Sequence, residues 1–172
     1  LNDSGNYYMR GNWSEDSNLL HFHCGTLGAG HGHSDKLHLD LVVNGEDVLV
    51  DAGRYTYVSG PDRFAFKDPE AHNTITVDNK QFTICKDSWE CSKLSQPVKQ
   101  GWFSNDKYEF VQGGHLGYMD MESGVFINRK IVHIKPNIYI IVDEMYTGGE
   151  HSYQQYFHFN EEGSVRSLNK QR

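Results

Sequence analysis

The sequence predicts an all-β fold, an antiparallel β-sandwich, and three observations carry that prediction. Apolar and polar residues alternate along Leu37-His38-Leu39-Asp40-Leu41-Val42-Val43, the two-residue period of a strand with one buried face. Asn44-Gly45 follows at once, and both residues tolerate the positive φ that a two-residue hairpin turn requires. Composition agrees: aromatic residues reach 13%, 17 Gly stand against 4 Pro, and no Ala-rich or Leu-rich helical block exists, which suits short strands and turns. At 172 residues the chain has material for one core, so residues 1–172 are read as a single domain.

Taken in order, residues 1–18 form a polar opening segment with Tyr7, Tyr8 and Trp13, read as a strand or loop. Leu19 to Cys24 reads as a strand with Leu20, Phe22 and Cys24 on one face. In the strand Leu37 to Val43, Leu37, Leu39, Leu41 and Val43 face inward while His38 and Asp40 face the other way. Beyond the Asn44-Gly45 turn, Val48 to Asp51 returns antiparallel. Residues 54–71 show no sustained period and read as a long ordered loop, a feature that in small domains usually serves function. Strand patterns resume at Asn73 to Val77, near Gln81 to Ile84, at Tyr108 to Gln112 and at Val125 to Ile134. After the turn Lys135-Pro136-Asn137 they return at Ile138 to Asp143 and Ser152 to Phe159, and residues 161–172 form a polar tail. Packing sheet on sheet would bury the apolar faces.

Charge and composition remove several function classes. The formal charge is −7 and the 16 Lys and Arg are scattered mostly singly, so no electrostatic footprint for nucleic acid exists. The same acidic balance disfavours a purely Coulombic grip on a polyanion, leaving the work to a few placed residues or to another domain. No apolar run reaches membrane-spanning length. No signal peptide is legible, and since the chain starts at Leu1 it reads as a fragment whose missing signal says nothing about export. Cys24, Cys85 and Cys91 make an odd count without CxxC spacing, so buried or free thiols are favoured over a Cys85 to Cys91 bridge.

Chemistry concentrates in Gly28-Ala29-Gly30-His31-Gly32-His33-Ser34-Asp35, where glycines free the backbone to aim two imidazoles. Two further ligand-type residues adjoin strand patterns: Asp51 ends Val48-Leu49-Val50-Asp51, and His72 opens His72-Asn73-Thr74-Ile75-Thr76-Val77. Should His33, Asp51 and His72 converge, two neutral imidazoles and a carboxylate suit Zn²⁺ in an open three-ligand site, with His31 facing a substrate. On the residues alone the plainer assignment has the better claim: Asp51 caps a turn, His72 lies at the surface and His33 is a loop donor.

Resemblance changes that balance. The runs Gly30-His31-Gly32-His33-Ser34-Asp35-Lys36-Leu37, Leu49-Val50-Asp51-Ala52-Gly53-Arg54-Tyr55-Thr56-Tyr57 and Ala71-His72-Asn73-Thr74-Ile75-Thr76-Val77-Asp78 resemble, in order, spacing and flanks, the C-terminal β-domain of heparinase II/III-like polysaccharide lyases. The likeness covers roughly Leu20 to Phe159, thinning after Asp78 to strand pattern and Arg129. It implies a zinc ion held by His33, Asp51 and His72, and an active-site histidine at His31. It implies cleavage of uronate-containing acidic polysaccharide by β-elimination, in which the uronate carboxylate is neutralised, a base takes the adjacent proton and an acid protonates the departing glycosidic oxygen. It also implies an N-terminal helical toroid, missing from these residues, that supplies further catalytic groups, so the isolated chain is expected to bind metal but show little lyase activity.

Other residues carry smaller expectations. Tyr55 and Tyr57 are candidate proton donors, with strand-side packing as the alternative. Arg54 and Arg63 are candidate forks for a substrate carboxylate or sulfate, with surface ion pairs to nearby Asp as the alternative. Asn73 is expected to fix the His72 loop. His21, His23 and His38 read as ordinary outward or satisfied strand histidines, and Trp89 and Trp102 as packing rather than sugar stacking. Two rival functions stand beside the lyase: a non-catalytic, metal-stabilised glycan-binding or scaffolding β-module, and a cupin-like metal enzyme with iron in place of zinc. The compartment is open, a periplasmic or extracellular setting suiting a longer protein of this kind.

Overall fold

A computed structural model describes residues 4–28 and 31–163. The opening three residues, Ala29 and Gly30 of the glycine loop, and the polar tail from 164 onward lie outside the described residues. Two four-stranded antiparallel sheets dominate. The first runs in the order β1 (Asn6–Arg10), β2 (Leu19–His23), β3 (Leu39–Val43), β4 (Glu46–Leu49). The second is built from β8 (Pro97–Ser104), β9 (Tyr108–Tyr118), β10 (Val125–Ile134) and β11 (Ile138–Tyr146), in the order β11, β10, β9, β8. Two short ladders complete it: β5 (Ile75–Val77) with β12 (Tyr153–Gln155), and β6 (Ile84–Cys85) with β7 (Cys91–Lys93).

The alternation read from the sequence places the core. Leu20, Phe22, Leu39 and Leu41 on one sheet, Cys24 and Leu37 just outside its strands β2 and β3, and Val111, Val125, Ile127 and Ile131 on the other sheet are buried in one apolar cluster. Burying such side chains stabilises by roughly 1.5–3 kcal/mol each. At Gly113 the second sheet lies so close to the first sheet's side chains that an added Cβ would sit 2.6 Å from Cys24 Sγ. Asn44 and Gly45 take φ of 53° and 79°, as the hairpin between β3 and β4 requires. Arg129 of β10 reaches across the sandwich. Its Nε and Nη2 donate to the two carboxylate oxygens of Asp143 at 2.7 and 2.8 Å, while Nη1 donates to the carbonyls of Leu37 and Asn73 at 2.7 and 2.6 Å.

The structure departs from the sequence reading at several points. Residues 54–71 are not loop throughout, since helix α1 (Pro61–Lys67) and a 3-10 turn (Pro69–Ala71) occupy much of that stretch. Proline at the first helical position starts α1 without loss of a needed N–H. Cys85 and Cys91 form a disulfide, against the expectation of thiols, because the β6–β7 ladder sets them opposite each other. Cys24 is the buried free thiol. His38 is the satisfied rather than the outward kind of histidine: it precedes β3 and is buried, its Nδ1 accepting from the Asn73 N–H at 3.0 Å and its Nε2 donating to Asp40 at 2.9 Å. Trp89 is 62% exposed rather than packed in the core, and Trp102 is part-exposed on β8 against Tyr7.

Candidate metal centre and active site

Three separate devices bring His33, Asp51 and His72 together. His33 rides a loop in which Gly32 presses on Leu27, so closely that a Cβ there would lie 1.8 Å from the Leu27 carbonyl oxygen. The next residue, Ser34, donates its N–H to the Lys67 carbonyl at 2.8 Å and so ties the loop to the end of α1. Asp51 follows β4, and its Oδ1 accepts the Gly53 N–H at 2.6 Å, a tight turn that the φ of 71° at Gly53 permits. His72 is delivered by the 3-10 turn through its N–H to the Pro69 carbonyl at 3.0 Å.

Asn73 holds the neighbourhood in register. Its Nδ2 donates to the carbonyls of Leu39 and Val50 at 2.7 and 3.2 Å, and its Oδ1 accepts from the His158 N–H at 2.6 Å. That is the positioning role expected from the sequence.

One ligand atom from each of His33, Asp51 and His72 lies within 4.8 Å of the others. His72 Nδ1 donates to Asp51 Oδ2 at 2.8 Å, and His72 Nε2 is buried with no partner among the described residues. Burial would raise the Asp51 pKa. The hydrogen bond from His72, the neighbouring His72 and His38 and the Gly53 N–H outweigh it and hold the carboxyl below its usual range. His33 is pushed down to about 4 by burial first, then by His72 and Arg63, so it is neutral at physiological pH with a single lone pair, which Nε2 turns toward Arg63 Nη1 and would have to turn to a metal instead. An ionised carboxylate, a neutral imidazole and a buried imidazole nitrogen without a partner form a donor set that fits a divalent cation of the zinc type.

Arg63 is placed otherwise than the sequence suggested. It is fully buried on α1, makes no ion pair with any described aspartate, and its Nη1 donates to His33 Nε2 at 3.1 Å. Its guanidinium also lies 5.5 Å from the Tyr57 ring centroid, which links the metal donors to a second cluster. There, His31 Nδ1 and the Tyr57 hydroxyl are 2.5 Å apart and share a hydrogen bond. Arg54 lies 4.2 Å over the Tyr57 ring, with no carboxylate partner among the described residues. Tyr55 does not join them. It is 73% exposed, has a φ of 52° and stacks on Phe66. Trp89, which the sequence reading left to packing, stands against both His31 and Tyr57.

The family model described as heparinase II/III-like, C-terminal, matches residues 1–172. The chain belongs to that family. A heparin-sulfate lyase of Pedobacter heparinus is 26% identical over 98 residues, 52% of this chain and 15% of that protein. Among solved structures, a heparinase III gene product superposes with a TM-score of 0.80 at 20% identity, covering 96% of this chain and 24% of that one. A heparan sulfate lyase from Pedobacter heparinus superposes with a TM-score of 0.77 at 15% identity, over 92% of this chain and 23% of that one. These likenesses establish the fold, a heparinase-type C-terminal β-sandwich. The chain spans about a quarter of the solved structures and a smaller share of the curated relative. Among the described residues no helix is long and apolar enough to cross a membrane.

Proposed function

We propose that this heparinase II/III-like domain is the metal-binding part of a polysaccharide lyase that cleaves uronate-containing acidic polysaccharide by β-elimination. The observation that carries the reading is the union of two clusters: three metal-type donors within 4.8 Å, and a His31–Tyr57 pair hydrogen-bonded at 2.5 Å, bridged by Arg63. Zn²⁺ would be held by His33, Asp51 and His72, and would supply a fixed positive charge that ties the His31 loop to the two segments beside it.

The chain's own groups suit the remaining steps. An imidazole and a phenol joined by one hydrogen bond can accept a proton at one atom and release one at the other, as elimination beside a carboxylate demands. Arg54, stacked on Tyr57 and without a carboxylate partner among the described residues, presents a guanidinium fork for that carboxylate or a sulfate. Arg63, being buried, borders both His33 and the Tyr57 ring, and metal binding at His33 would displace its hydrogen bond to Nε2. An N-terminal helical domain would supply the opposite wall of the cleft, consistent with a chain that covers 24% of the solved heparinase.

The test is an assay for unsaturated uronate ends with the full-length protein on heparan-type, alginate-type and other uronate polymers. Product from the full-length enzyme, loss of at least a hundredfold in kcat for His31→Ala, and little or no product from residues 1–172 alone are expected. Turnover by residues 1–172 alone would remove the need for a partner domain. No turnover by the full-length protein on any uronate polymer would favour a glycan-binding module instead.

A further inference from the structure

The loop between β6 and β7 contains Trp89, whose indole is 62% exposed although a buried indole would stabilise the fold. The loop is not slack. The Cys85–Cys91 disulfide closes its base, and the Lys86 N–H donates to the Glu90 carbonyl at 2.8 Å. Asp87 Oδ1 accepts the N–H groups of Trp89 and Glu90, both at 2.7 Å. Ser88 is pinned from three directions: its Oγ donates to the Tyr57 carbonyl at 2.7 Å, its N–H to Ser59 Oγ at 2.9 Å, and its carbonyl accepts from Lys67 Nζ at 3.0 Å. The indole itself stacks on Tyr57 at 5.8 Å and meets His31 edge-on at 6.1 Å. A rigid aromatic surface therefore stands beside the hydrogen-bonded His31–Tyr57 pair, with the Arg54 guanidinium on the same Tyr57 ring.

We infer that Trp89 is a platform for one pyranose ring of an anionic glycan, held at the candidate active site by the Cys85–Cys91 clamp, with Arg54 taking that ring's carboxylate or sulfate. The inference rests on the lyase reading for the choice of glycan. The chemistry is direct: the axial C–H groups of a pyranose carry partial positive charge and pack on the electron-rich face of an indole. An aromatic surface already fixed by its loop loses little entropy when it is covered. Trp102 offers the internal comparison, since it is also part-exposed but packs on Tyr7 of the other sheet, away from these groups.

The test titrates the isotope-labelled 172-residue chain with a defined heparan sulfate hexasaccharide and follows the indole N–H signals by NMR, assigning Trp89 by its loss in Trp89→Phe. A saturable shift at Trp89 is expected. Affinity should fall at least tenfold in Trp89→Ala, fall by less than threefold in Trp89→Phe, and stay unchanged in Trp102→Ala. The double variant Cys85→Ser, Cys91→Ser should lose several-fold. No saturable shift, equal affinity in Trp89→Ala, or binding that follows Trp102 overturns the platform, and full affinity in the serine variant overturns the clamp. Turnover by the full-length protein is scored separately. A shifted Trp89 without lyase product keeps the platform and removes the enzyme, and lyase product with an unmoved Trp89 does the reverse.

Discussion

His72 spends one ring nitrogen on Asp51 at 2.8 Å and keeps the other buried without a partner among the described residues. A buried nitrogen left unpaired costs about 1–3 kcal/mol, a cost that a ligand at this nitrogen would offset. A divalent cation shared with His33 and Asp51 is the ligand this donor set suits.

Metal removal should therefore soften the whole domain. With zinc a thousandfold above its Kd, binding to the folded state alone adds about 4 kcal/mol. For a domain of this length that moves Tm by roughly 10 °C. Scanning calorimetry with and without chelator should show that drop, and His33→Ala should lower the starting Tm and abolish the response. An equal Tm after metal removal, verified by elemental analysis, would contradict the metal's structural part.

Gly32 is the position at which the loop tolerates no side chain. A methyl group there would sit 1.8 Å from the Leu27 carbonyl oxygen, backbone that cannot swing aside as a side chain would. Gly32→Ala should cost about 1–3 kcal/mol, as overpacked sites do. It should also weaken zinc at least tenfold, because His33 is the next residue. Circular dichroism should still report the strands, since no sheet residue is involved. Unchanged zinc affinity would mean that the loop does not aim His33.

Much of this fold is legible in the chain, for reasons specific to each element. In β2 and β3 one face is apolar, so the period of two is visible, and β10 appears with its bounds unchanged because its pattern is long. Helix α1 is hidden. It runs for seven residues, too few to display a helical period, and its buried residues are Arg63 and Lys67, types that ordinarily lie at the surface. Strand β8 begins with Pro97 and carries Lys99 and Gly101, poor strand formers whose conformation is set by pairing with β9. The three metal-type donors were legible through family spacing, while the Cys85 to Cys91 bridge and the placement of Trp89 depend on a ladder whose register no local pattern reveals.

Arg129 binds the sandwich to the site by a different route. Its side chain is fully buried, forked onto Asp143, and its Nη1 holds the carbonyls of Leu37 and Asn73, the latter adjacent to His72. Removing one partner of such a pair leaves an uncompensated buried charge and costs about 3–5 kcal/mol. Arg129→Ala and Asp143→Ala should each lose stability on that scale in urea, and the double variant should lose clearly less than their sum. Additive losses would show that the two side chains do not act as a unit.

His115 gives the domain an acid limit that does not involve the metal donors. It is fully buried between Phe82 and Tyr118, and its Nδ1 accepts the Gly117 N–H at 3.1 Å, so protonation there would break a bond. Burial first, then the nearby cations Lys36, Lys93 and Arg129, push its pKa down to about 3. The unfolded chain takes up this proton near pH 6.5 and the folded chain does not until about pH 3. The stabilising contribution is thus complete above pH 6.5, falls as pH drops below it, and is exhausted near pH 3. Within that window one such histidine costs roughly 1 kcal/mol per pH unit. His115→Phe, an apolar ring suited to the aromatic pair around it, should make the decline of stability between pH 6.5 and pH 4 shallower by about one proton. A slope identical to that of the unsubstituted chain would show that His115 is not the group being titrated.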